Sequence, residues 1–360
     1  MTAVRTGLPH ASTTFSLDDA LSATEPPESR GVARDSVRLL VASPARIRHT
    51  QFRSFADHLA PGDLVVVNTS GTLAAAVDGS RSRSMSPGRE VTAHFSTRLD
   101  DGTWLIEFRP AIHPTGPVTD IRPGEEIVLV GGATAVALEP GPRGEERPNR
   151  LWRTKVLLPA AADVVGYLQA HGRPITYSYV RGQFPLTDYQ TVFARDPGSA
   201  EMPSAGRPFT TRIVTDLATR GVTVAPITLH TGVSSLEEGE PPLPEPYRVP
   251  DTTARLIEQT RRYGGRVVAV GTTVARALET VARSDGTVVG GAGWTDLVLG
   301  PERPARVVDG LVTGWHAPGA SHLLLLEAVA GPALVASAYT AALAKRYRWH
   351  EFGDSCLLLP

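Results

Sequence analysis

The stretch Val267-Val268-Ala269-Val270-Gly271-Thr272-Thr273-Val274-Ala275-Arg276-Ala277-Leu278-Glu279 decides the fold of this chain. Four apolar residues in a row read as a buried strand, Gly271 breaks it, and two hydroxyl residues open a segment with helical apolar spacing. A strand passing straight into a helix is one half of a layered α/β unit. The design repeats upstream. A helix from Asp251 to Tyr263, stopped by Gly264-Gly265, precedes the strand Arg266 to Val270. Before it, Thr210 is placed to N-cap a helix that carries Ile213, Val214 and Leu217 and ends near Gly221, and an apolar strand, Val222 to Leu229, follows. Leu64 to Val67, introduced by the turn Pro61-Gly62-Asp63, adds another buried strand.

Between these helical regions the texture changes. Val91 to Phe95, Trp104 to Phe108, Glu126 to Val130, Thr134 to Leu138 and Leu151 to Val156 are short β-rich pieces separated by Gly, Pro and Asp turns, with no helical period among them. The expected fold is therefore α/β plus all-β: a larger layered α/β domain, residues 1–75 and 157–360, with a small β-barrel-like domain, 76–156, inserted into it. Downstream, Arg306 to Pro360 offers short strands around Asp309-Gly310, two apolar helices and a final Leu357-Leu358-Leu359 run. The apolar helices, His322 to Ala344, are interrupted by Gly331-Pro332, so they read as two packed helices and not a membrane span.

The 360 residues are 41% apolar and 20% charged, ordinary for a globular protein. Thirty-six basic residues against thirty-seven acidic leave a formal charge of −1, so a nucleic-acid partner requires a local basic patch. Arg81, Arg83 and Arg89, the pair Arg261-Arg262, and Arg346-Tyr347-Arg348 are the candidate groups, and each reads equally well as a solvated face. Cys356, the one cysteine, has no partner for a disulfide, and Met1 to Ser12 lacks the apolar core of a signal peptide, which points to the cytoplasm.

No Walker loop, G-x-G-x-x-G, G-x-S-x-G elbow or metal-ligand spacing of His and Cys is present, so no metal is expected. What remains is subtler. At Gly271-Thr272-Thr273 a strand hands over to a helix, so free backbone amides and the positive helix end face whatever lies at the strand's carboxyl edge. A carboxylate or phosphate fits there; a plain tight turn explains the same residues. Arg276, one turn later, is placed to reach the same anion or to sit in solvent. His230 ends the strand in Ile227-Thr228-Leu229-His230-Thr231-Gly232, and His316 follows Thr313-Gly314-Trp315; both have a side chain suited to proton transfer near neutrality. Tyr189 and Gln190, with Pro203-Ser204-Ala205-Gly206, bring an aromatic face near carboxylate and amide groups, which suits a sulfonium or purine ligand as well as a core tyrosine beside a loop.

The order of these elements carries more than any of them alone. Asn68 after Leu64-Val65-Val66-Val67, then Tyr189 to Ala194, Pro203 to Gly206, Thr228 to Gly232, Val270 to Glu279, Gly293 to Leu297, Val308 to Thr313 and Phe352-Gly353-Asp354 follow one another as in a known family. Over roughly residues 34 to 359 the chain resembles the S-adenosylmethionine:tRNA ribosyltransferase-isomerase family of queuosine biosynthesis.

The resemblance implies a larger α/β domain carrying a β-barrel, and S-adenosylmethionine as a substrate that donates its ribosyl group. That group moves to the 7-aminomethyl-7-deazaguanine base of tRNA and rearranges to an epoxycyclopentanediol, while adenine and methionine leave. The sulfonium acidifies the C5′ protons, so a base starts the elimination of adenine without metal or redox cofactor. On this reading the catalytic candidates are His230, His316 and Asp309, and the donor is held by Gly271, Thr272, Thr273, Arg276, Tyr189, Gln190, Gly206 and Thr313. The sequence departs from the family pattern in places. Asn68-Thr69-Ser70-Gly71-Thr72 stands where the family carries Asn-Asp-Thr-Arg-Val, Pro208 stands where it carries a histidine, and Ser234-Ser235-Leu236 replaces Gly-Thr-Phe. These losses leave two alternatives open beside the tRNA reading: the same donor chemistry on a small-molecule acceptor, and a nucleoside-binding protein without turnover.

Overall fold

A computed structural model describes residues 10–81, 90–111, 116–142, 149–159, 163–233 and 243–360. In chain order the elements are β1 (Arg38–Ser43), β2 (Arg46–Gln51), β3 (Leu64–Asn68), β4 (Ser70–Thr72), β5 (Ala76–Arg81), β6 (Glu90–Arg98), β7 (Trp104–Pro110), β8 (Glu126–Leu129), β9 (Thr134–Pro140) and β10 (Leu151–Leu157). Then come α1 (Val164–His171), β11 (Asp196–Ser199), α2 (Thr211–Thr219), β12 (Thr223–Leu229), β13 (Glu245–Val249), α3 (Asp251–Arg262), β14 (Val267–Val270) and α4 (Thr272–Thr280). The chain closes with β15 (Gly291–Thr295), β16 (Gly310–Thr313), α5 (His322–Ala330), α6 (Pro332–Ala344) and β17 (Ser355–Leu358).

Nine strands form one sheet in the order β15-β13-β12-β3-β14-β16-β17-β1-β2. Its centre, β12-β3-β14-β16, is parallel. Successive side chains in a strand point to opposite faces, and the central strands are apolar on both. Leu64, Val66, Val267, Ala269 and Leu311 face a core built with α3 to α6, whereas Val65, Val67, Val268, Val270 and Val312 face α2 and the 3-10 turn Phe52–His58. Thr210 caps α2 as its sequence requires, its hydroxyl accepting from the Ile213 amide at 3.4 Å. β17 runs antiparallel to β16 and parallel to β1. The carboxyl ends of β12, β3, β14 and β16 therefore share one rim of the sheet with the amino ends of β17 and β1.

β5 to β10 close into a six-stranded antiparallel barrel, β10-β7-β6-β5-β8-β9. Its interior holds Val77, Phe95, Trp104, Ile106, Phe108, Ile127 and Leu129, with Leu168 of α1 against one end. Five of its strands stand out in the sequence; β5 does not, because Asp78, Gly79 and Ser80 dilute its apolar character. Gly79 is where β5 and β8 crowd together, for a β-carbon there would lie 2.6 Å from the Val128 carbonyl oxygen. No single helix among the described residues is long and apolar enough to cross a membrane, and α5 and α6 bend by 118° at Gly331.

Candidate active site

The shared rim gathers most of the expected site residues. At its centre Gly271 adopts φ +94°, a conformation that side chains rarely allow, and α4 begins immediately after it. No side chain caps this helix, so its first amides, at Thr272 and Thr273, point out from the rim with the positive end of the helix dipole. On one side the space is filled: Ala205, in the 3-10 turn Ser204–Gly206, would be 3.3 Å from a β-carbon on Gly271. On another side Thr273 Oγ1 would be 3.6 Å from the same β-carbon.

Asn68, at the end of β3, is buried and ties three elements together. Its side-chain oxygen accepts from the amides of Ser70 and Leu229, both at 3.0 Å, and its nitrogen donates to the Leu229 carbonyl at 2.8 Å and to Thr273 Oγ1 at 3.4 Å. This fixes the end of β12, from which His230 projects. His230 Nδ1 lies 2.7 Å from Ser70 Oγ, and Ser70 Oγ lies 2.6 Å from Ser199 Oγ, which accepts from the Thr231 amide at 3.0 Å. The imidazole rests flat on Gly198, where a β-carbon would come within 2.5 Å of the ring. Burial pushes the His230 pKa below its usual 6.5, opposed by Asp196 and assisted by Arg248. The ring is thus neutral at pH 7 and able to accept a proton, with one nitrogen oriented by a hydroxyl.

His316 sits beyond β16, three strand spacings or roughly 14 Å along the rim from His230. Its Nε2 is 3.0 Å from Thr313 Oγ1, and its ring stacks on His322 at 4.5 Å between centroids. Burial drives its pKa well down, with the neighbouring His322 and His350 adding to the effect. Trp315, Tyr339 and Trp349 pack on one another, and they meet His316 at its backbone: its amide donates to the Tyr339 hydroxyl at 3.3 Å and its carbonyl accepts from the Trp349 indole at 3.0 Å. Next to this corner, Arg34, Ser204, Arg207, Pro208, His350 and Glu351 line a narrow cleft at the start of β17. Pro208, singled out by its sequence, is on that wall.

Three expected site residues are placed otherwise. Asp309 is a correction: its carboxylate accepts from the Val267 amide at 2.9 Å, at the amino end of β14. That is the rim opposite Gly271, so Asp309 fixes the start of β14 away from the other candidates. Arg276 is a second correction. It is buried, donates to the carbonyls of Thr295 at 3.1 Å and Leu297 at 3.2 Å, and pairs with Glu245, so its guanidinium is engaged within the protein. Gln190 is the third: both ends of its amide clamp the backbone of Thr72, at 3.0 and 2.8 Å. Tyr189 packs edge-on to Phe352 at 5.1 Å, and Gly206 lies against Thr191, so both shape the loop over the rim. Ser70 and Ser199 escape a sequence reading because isolated serines carry no pattern. Asn68 carries two signals: it is one of only two asparagines, and it opens the order of elements shared with the family. Arg83, Arg89, Ser234, Ser235 and Leu236 lie outside the described residues. Among the described residues no cluster of His, Cys, Asp or Glu is arranged to hold a metal ion.

Comparison with known proteins fits this geometry. The queuosine biosynthesis protein family matches residues 11–358. The chain belongs to that family. It is 35% identical to the S-adenosylmethionine:tRNA ribosyltransferase-isomerase of Symbiobacterium thermophilum, covering 96% of this chain and 98% of that one. It is 34% identical to the enzyme of the same name from Thermotoga maritima, with the same coverage. Among solved structures, S-adenosylmethionine tRNA ribosyltransferase from Thermotoga maritima covers 96% of this chain and 99% of its own, at 30% identity and a TM-score of 0.52. The family resemblance thus extends over the barrel as well as the α/β sheet.

Proposed function

We propose that this chain moves the ribosyl group of S-adenosylmethionine to a deazaguanine-type base in tRNA, with release of adenine and methionine. The observation that carries this reading is coverage: relatives bearing that activity in their names align over 98% of their length, so neither domain is missing. On this reading the chain divides into a barrel domain, 76–156, and an α/β domain, 1–75 and 157–360, a division supported by the barrel strands running from Ala76 to Leu157.

The rim geometry supports a division of labour. The amides of Thr272 and Thr273, at the open end of α4, receive the methionine carboxylate of the donor. His230, neutral and oriented by Ser70, takes the C5′ proton acidified by the sulfonium, and adenine departs. His316, stacked on His322 and bonded to Thr313, holds the shape of the far side. Tyr189, Gln190 and Gly206 fix the loop that covers the rim. The work is done in the cytoplasm, where tRNA is matured.

The test is incubation of the protein with S-adenosylmethionine and undermodified tRNA, followed by chromatography. Adenine and methionine appear only when tRNA is present. Release that is equal with and without tRNA removes tRNA as the required acceptor, and calorimetric binding of S-adenosylmethionine without any release assigns the chain to nucleoside binding.

A further inference from the structure

The chain as a whole is neutral to within one charge, yet one edge of its main sheet is basic on both faces. β2 is the terminal strand and pairs only with β1. Arg46 stands opposite Ser43 and Arg48 opposite Val41, which places both arginines on the α2 face of the sheet. His49 stands opposite Leu40, on the α6 face. There the turn that ends α6 contributes Lys345, Arg346 and Arg348. Arg38 fastens this turn: its guanidinium donates to the carbonyls of Lys345 at 2.8 Å and Arg346 at 2.5 Å and lies 4.3 Å over the Tyr347 ring. The Tyr347 hydroxyl in turn meets His49 Nδ1 at 2.9 Å. Arg346 holds a left-handed φ of 52°, which keeps the turn tight.

Arg46, Arg48, Lys345 and Arg348 are exposed and have no carboxylate partner among the described residues, and Arg346 has only the solvent-exposed Asp18 at 3.8 Å. The α3 surface offers a contrast. Arg255 and Arg262 stand there among Asp251 and Glu258, and Arg261 is occupied by the Gly286 carbonyl at 2.5 Å. The basic edge is also continuous with the candidate active site. Asp354, which pairs with Arg38 at 2.7 Å and accepts from the Arg348 amide at 2.8 Å, lines the cleft beside His350.

We propose that the β2 edge and the α6 turn form a phosphate track along which the backbone of the acceptor tRNA lies as its target base enters the rim. Exposed cations without carboxylate partners release counterions from a polyanion, and cations on both faces of an edge strand follow a curved backbone without reading its sequence. Charged edge strands also prevent sheet-to-sheet pairing, which is the competing explanation for Arg46 and Arg48. That explanation does not account for the α6 turn.

This inference rests on tRNA being the acceptor, and the experiment separates the two. Unmodified tRNA is titrated onto wild type and onto the combined variant Arg46→Gln/Arg48→Gln/Lys345→Gln/Arg348→Gln by filter binding, between about 50 and 200 mM salt. The variant loses at least about tenfold in affinity, and its slope of log affinity against log salt becomes shallower by about 3. Its heat of binding to S-adenosylmethionine and its turnover at saturating tRNA stay unchanged. Arg255→Gln/Arg262→Gln leaves affinity within about twofold and the slope intact. If the fourfold variant folds poorly, Arg46→Gln/Arg48→Gln on the exposed edge gives about half the slope change. Equal affinity and slope in variant and wild type overturn the track while leaving the acceptor standing, whether or not the variant self-associates. Failure of wild type to retain tRNA overturns both.

Discussion

The two histidine corners of the rim are built from opposite materials. Around His230 the neighbours are polar and bonded to one another: Ser70, Ser199, Asn68, the Thr231 amide, and behind them the Arg276–Glu245 pair, whose Glu245 also accepts from the Gly232 amide at 3.1 Å. Around the His316 ring they are the stacked His322 and a single hydroxyl, Thr313, with Trp315, Tyr339 and Trp349 packed on one another behind its backbone. Both imidazoles are held neutral at pH 7. A proton that arrives at His230 meets a chain of two hydroxyls and the opposite charge of Asp196, whereas one that arrives at His316 meets the Thr313 hydroxyl and, stacked against it, a second imidazole that disfavours the charge. Neutrality alone therefore does not make a base; the partners of the protonated form do.

The largest expected effect breaks this asymmetry at its active end. His230→Ala lowers the rate of adenine release by about 10²- to 10⁴-fold, the range for loss of a positioned general base, with little change in melting temperature. A rate within a few-fold of wild type removes His230 from the mechanism. Next comes the support beneath it. Arg276→Ala leaves Glu245 without its ion-pair partner and costs on the order of 3–5 kcal/mol, read as a lower urea midpoint. Unchanged stability with lost donor binding restores Arg276 to the ligand. Asn68→Ala strands the Leu229 amide and carbonyl and costs about 2–3 kcal/mol, with loss of turnover because His230 is no longer fixed.

The legibility of the molecule follows the same division. The central sheet could be read because its strands are apolar on both faces and its helices are amphipathic, so Val267 to Glu279 announces a strand, a turn and a helix within thirteen residues. The barrel was readable from turn spacing, except for β5, whose polar residues face outward. The surroundings of Arg276 and Asp309 are not legible for one reason: a charged residue near a strand-to-helix junction looks functional in sequence, but its partners lie far along the chain and the rim it faces depends on strand direction. Glu245 lies thirty-one residues before Arg276, and Val267 forty-two before Asp309. The Ser70–Ser199 contact joins residues 129 apart, and no local pattern encodes it.

The pH dependence sharpens the comparison further. The folded pKa of His230 lies below its unfolded value near 6.5. Its contribution to stability is then complete above pH 6.5 and is lost as pH falls from there toward the folded pKa, because the unfolded chain takes up the proton first. Activity follows the same direction: adenine release at saturating donor is flat above pH 6.5 and declines on an acid limb below it. Ser70→Ala moves that limb, since removing the hydroxyl beside Nδ1 changes the environment of one protonation state more than the other.

The smallest effect belongs to the aromatic corner. His316→Phe keeps a flat ring against His322, gives up the 3.0 Å contact to Thr313 Oγ1, and leaves that hydroxyl with the Gly314 carbonyl at 3.1 Å. The loss is one hydrogen bond at a half-buried site, about 1 kcal/mol of stability. If His316 serves shape, adenine release by this variant stays within about fivefold of wild type and keeps the same acid limb. A drop of a hundredfold with a vanished limb reverses the assignment: the proton is then taken among the rings, and the hydroxyls around His230 are scaffolding.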